Sequence, residues 1–161
     1  MNRKAFHIGA ALLLTLAATL PLHSAPRQGG KPAKKAKPVK PSAQEQCESN
    51  LKQLGLAAFQ FTVGDNEEHF PDLSSPAKIK SQLKPYVKSE AVFRCPLGHV
   101  YQGNKSLSNK LNYNFDTWEI VMFYEPKNAH GGKRFVAYAS GAVALLTPAQ
   151  WEQAKRKSGI K

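Results

Sequence analysis

Apolar residues enter this chain first as one unbroken run near its start, then as a helical stripe, then as short bursts between polar, Gly- and Pro-containing segments. The stripe is the strongest signal. Cys47, Leu51, Leu54, Ala58 and Phe61 recur at intervals of four, three, four and three. That spacing predicts an amphipathic helix, with Glu48, Lys52, Gln53 and Gln60 elsewhere around it. Ser42 is a good N-cap, and Glu45 stands at the capping-box spacing.

The segment VGDNEEHFPDLSS reads as a loop. Ser75-Pro76 opens a short helix, with Pro in the first turn. Ile79 and Leu83 would face inward, and Pro85 ends or bends the helix. Residues 101–112 are polar and predict a loop. Ile120 to Tyr124 is rich in β-branched and aromatic types and predicts a strand, stopped by Pro126. KNAHGGK is a turn. RFVAY and AVALL predict a hairpin around Ala139, Ser140 and Gly141. Thr147 caps a last helix, with Pro148 in its first turn and Gln150 at the capping-box spacing. That helix buries at most Trp151 and Ala154. The expected class is α+β: a long N-terminal helix packed on a small, three-stranded antiparallel sheet. Such a sheet is free to leave one face in water.

The first apolar run changes the picture of where the chain works. Arg3 and Lys4 precede Ile8 to Leu20, thirteen apolar or small residues ended by Pro21. The run is short for a bilayer span, and Ser24 or Ala25 offers a cleavage point. Residues 1–25 therefore read as a signal peptide, with a retained anchor as the alternative. The expectation is export, to the periplasm or outside the cell.

The formal charge is +12, but it is uneven. Residues 1–40 carry eight basic residues and no acid, which leaves a net of +4 from position 41 onward. Residues 26–41, PRQGGKPAKKAKPVKP, cannot build a core, and their like charges extend them as a linker. Lys31, Lys34, Lys35, Lys37 and Lys40 are a possible polyanion contact, for nucleic acid or an anionic envelope polymer. No aromatic residue interleaves them for base stacking, so a solvated spacer is the simpler reading. The folded domain is 42–161.

Cys47 and Cys95 are the only cysteines. In an exported chain they are best read as one disulfide. Cys95 and His99 could ligate a metal, but with Cys47 as the only other soft ligand the set is incomplete. Asp65, Glu67, Glu68 and His69 match no calcium-loop spacing and read as a solvated loop. His130 has Glu125 and Asp116 as its nearest chemical partners in sequence, and reads first as a turn residue. Neither a nucleophile elbow nor a phosphate-binding glycine loop is present. No catalytic residue, metal, cofactor or small-molecule substrate is expected.

CESNLKQLGLAAFQF, then HFPDL, FRCP and EPKNAHGGKRFVAYASGAVALLT, resembles the head region of bacterial pseudopilin-like proteins, which are related to the major pseudopilin of type II secretion. A large subgroup carries His, nine residues, then Asp-Gly. Here His130 is followed by nine residues and then Ser140-Gly141. The resemblance covers roughly residues 47 to 147. It implies a non-enzymatic interaction module whose partners are pilin-like or secretion-system proteins. The chain departs from the family twice. The apolar run has no Glu near its start, and a Lys/Pro linker separates it from Cys47, so insertion into a filament by the usual helix stacking is not expected. Ser140 replaces the motif's Asp, and a neutral hydroxyl is a poorer ligand for a cation or a basic side chain.

Overall fold

The computed structural model describes residues 40–65 and 68–161. The expected leader, and the linker with Lys31, Lys34, Lys35 and Lys37, lie outside the described residues; Lys40 is exposed at their edge. Among the described residues the fold is α+β, with three α-helices and a four-stranded antiparallel sheet. Among the described residues no helix is long and apolar enough to cross a membrane.

Helix α1 spans Ala43–Gly64. Ser42 Oγ accepts from the Glu45 amide, and the Ser42 amide donates to the Glu45 carboxylate at 2.7 Å, which completes the capping box. Cys47, Leu51, Leu54 and Ala58 are buried, while Phe61 is half-buried with its ring edge-on to Tyr86. Helix α2, Pro76–Leu83, starts at the Ser75 cap and buries Ile79 and Leu83. Pro85 falls inside a following 3-10 turn, Lys84–Tyr86.

The sheet is a meander of β1 (Gln102–Gly103), β2 (Val121–Tyr124), β3 (Arg134–Tyr138) and β4 (Val143–Leu146). It has four strands rather than the expected three, because Gln102 and Gly103 pair with Tyr124 and Phe123. One extra residue on β2 bulges the ladder between Val121 and Phe123. Met122 and Phe123 can then both join the core under α1, beside Phe135 and Ala137.

The other face is not left in water. Helix α3, Pro148–Lys157, packs there, and Trp151 and Ala154 form a second cluster with Val121, Val136 and Leu146. The Arg134 guanidinium stacks 4.5 Å from the Trp151 ring. The end of α3 is latched by Asn104, whose amide donates to the carbonyls of Ser158 and Val121, both at 2.9 Å. The Ser158 hydroxyl in turn accepts from the Val121 amide.

Candidate functional site

Two segments converge behind the end of β2. The first is the disulfide. Cys47 on α1 is joined to Cys95 with their Cα atoms 5.3 Å apart, as expected from the sequence. A disulfide suits a non-reducing environment. Asn50, one turn along α1, holds the same segment by donating to Arg94 O at 2.9 Å. The chain turns tightly after Cys95. The Cys95 amide donates to His99 O, the Gly98 amide to Cys95 O, and the Leu97 amide to Cys95 Sγ at 3.4 Å. This turn brings His99 back beside Cys95.

The second segment leaves β2 at Glu125, which is fully buried. Its Oε2 accepts from the Phe135 amide at 2.7 Å, and its carbonyl accepts from Arg134 Nη1 at 3.1 Å. The turn that follows is closed by paired backbone bonds between His130 and Lys133. That pairing turns the His130 ring inward. Nε2 lies 2.9 Å from Glu125 Oε1 and 4.0 Å from Cys95 Sγ, and the ring packs edge-on to Phe135. His99 Nε2 lies 3.6 Å from the same Glu125 oxygen. The result is a buried carboxylate between two imidazoles, set against a disulfide. The group faces the interior rather than an open cleft.

The structure unites His130 with Glu125 but not with Asp116, whose side chain accepts from the Trp118 amide at 3.1 Å. His130 and Ser140-Gly141 are not brought together either. They flank opposite ends of β3, a strand of five residues that spans roughly 17 Å at the usual rise. Ser140 and Gly141 form the β3–β4 turn; the Gly141 amide donates to Tyr138 O, and Ser140 Oγ accepts from the Ala142 amide. Asp65 and His69 pair with each other at 2.8 Å, and Glu67 lies outside the described residues.

A different surface has no role in the sequence reading. Leu56, Phe59 and Val63 are 55 %, 60 % and 65 % exposed. Their spacing of three and four places them in one stripe on α1, away from the side that carries Leu51, Leu54 and Ala58. A second apolar period beside the first was the available signal. Compared with protein-family models, with curated proteins and with solved structures, the chain matches none.

Proposed function

We propose that this protein is an exported, non-enzymatic interaction module, built as a long helix on a small sheet in the manner of a pseudopilin head without its filament helix. The observation that carries the reading is the stripe Leu56–Phe59–Val63. Three large apolar side chains, each more than half exposed on one helix face, mark a contact surface more readily than scattered single residues do. The Cys47 segment and the spacing from His130 supply the family resemblance, and the disulfide agrees with a location outside the reducing cytoplasm. Pilin-like or secretion-system proteins are the proposed partners.

A second reading rests on the lysines at 31, 34, 35, 37 and 40. They would hold the protein on nucleic acid or an anionic envelope polymer, with the domain as their carrier.

One experiment separates the two. A photo-crosslinker is placed at Phe59 in the full chain, and the products are captured in cells and washed with rising salt. A pilin-like or secretion component that survives high salt, and is lost in L56Q/V63Q, supports the module. Binding that disappears at moderate salt and on deletion of residues 26–40 moves the function to the lysines.

A further inference from the structure

The cluster behind β2 has the composition of a metal site. The sulfurs of Cys47 and Cys95, a carboxylate oxygen of Glu125 and a ring nitrogen of His130 all lie within 4.8 Å of one another, and all four residues are buried. His99 lies beside the cluster. Its side chain is only 8 % exposed, it faces Glu125, and neither ring nitrogen has a hydrogen-bond partner among the described residues. Buried polar atoms are seldom left in that state. The Leu97 amide already donates to Cys95 Sγ. Such a bond favours the charged thiolate over the thiol.

The geometry points to a redox-gated zinc site: with the disulfide reduced, Cys47, Cys95, His130 and Glu125 hold one Zn²⁺. Two sulfurs, an imidazole and a carboxylate suit a tetrahedral, borderline-soft cation, and suit calcium or magnesium poorly. His130 Nε2 lies 4.0 Å from Cys95 Sγ and 2.9 Å from Glu125 Oε1. Both separations are within about half an ångström of the ligand–ligand edges that zinc bonds of about 2.0–2.3 Å require. The two sulfurs must part to the edge of about 3.8 Å that zinc–sulfur bonds of about 2.3 Å require.

The chemistry balances. A dithiol reductant gives two electrons and two protons to the Sγ–Sγ bond, which breaks into two thiols, and the dithiol closes to its own disulfide. Zn²⁺ then displaces the two thiol protons to solvent. His130 binds as the neutral ring, with its proton on Nδ1. His99 stays outside the metal shell, with its Nε2 3.6 Å from Glu125 Oε1.

The test uses the full chain. It is reduced with a phosphine in denaturant without oxygen, then refolded with cobalt(II) as a spectroscopic probe. Tetrahedral cobalt bands with thiolate-to-cobalt charge transfer, saturating at one equivalent and erased by zinc, are expected. The disulfide form, taken through the same denaturant and refolding with the phosphine omitted, gives neither. H130A, which removes a ligand, lowers the cobalt affinity by more than about a hundredfold. Circular dichroism of each variant in its disulfide form checks the fold. Where H130A does not fold, the near-isosteric E125Q decides. No cobalt uptake, cobalt without the thiolate band, or wild-type titration by H130A or E125Q overturns the site.

Discussion

Gly55 lies directly against Gly141. A Cβ built at Gly55 on α1 would sit 3.2 Å from the Gly141 Cα in the β3–β4 turn. Gly141 itself has φ of +85°, in the region that residues with a Cβ rarely adopt. Two residues without side chains thus bring the helix and the hairpin backbone together. The second half of the family-like motif is one side of that contact.

Enlarging Gly55 therefore pushes the helix off the hairpin. G55L is expected to destabilise the fold by about 1–3 kcal/mol, the usual range for overpacking. G141A is expected to lose about 1–2 kcal/mol through left-handed backbone strain alone. Urea denaturation measures both. A neutral G55L would mean that the two elements part freely.

Leu54 is 1 % exposed in the core between α1 and the sheet. L54A is expected to cost about 2–5 kcal/mol by the same measurement. L56A, on the exposed face, should stay within about 0.5 kcal/mol of the parent. The contrast between the two reports which face of α1 is core.

The disulfide closes a loop with a sequence separation of 48. On the chain-entropy account, C47A/C95A is expected to lose up to roughly 4 kcal/mol of stability. Equilibrium unfolding under non-reducing conditions gives the value directly.

Asn104 is 1 % exposed, and its side-chain oxygen also accepts from the Ser106 amide and hydroxyl. N104A leaves the Val121 carbonyl without that donor, at about 1–3 kcal/mol for a buried group left unpaired, while the Ser158 carbonyl keeps the Ser106 hydroxyl. The end of α3 should loosen first. Amide hydrogen exchange across residues 151–158 is expected to quicken more than exchange in α1.

Glu90 receives the ammonium groups of Lys80 at 2.6 Å and Lys84 at 2.7 Å, and ties α2 to the turn before Cys95. Hydrogen bonds from Lys80 first, then Lys84, pull its carboxyl from an ordinary 4.5 down to about 2. A carboxylate with a depressed folded pKa stabilises above its unfolded value and loses that contribution as pH falls through the folded one. The difference between the parent and E90Q should be present at neutral pH, shrink between about 4.5 and 2, and weaken in salt. A difference in urea midpoint that is unchanged at low pH would contradict the assignment.

Local signals in the sequence carried much of the fold. Ser42 with Glu45, and Thr147 with Gln150, each announced a helix start through a reciprocal cap that needs no tertiary contact. The strand Arg134–Tyr138 coincides with the apolar burst that predicts it. Strand β1 escaped notice because two residues, one of them Gly, carry no period, and their pairing is supplied by β2. The packing of α3 on the second face escaped for a similar reason. Trp151 and Ala154 look like a weak stripe until the opposite sheet face supplies Val121, Val136 and Leu146. The buried cluster was least legible. His99, Glu125 and His130 come from two separate turns, and only the fold sets them against the helix that carries Cys47. No spacing rule joins residues that meet across an interior.

In chain order both sulfurs precede every residue of β2, β3 and β4. A polypeptide made from its N-terminus presents Cys47 and Cys95 before the strands that wall them in have been added. The bond thus has an early window, which folding then shuts. In the finished molecule the two cysteines are 0 % and 1 % exposed, with Glu125 and His130 against them. The strands act as a door closed behind the cross-link that preceded them.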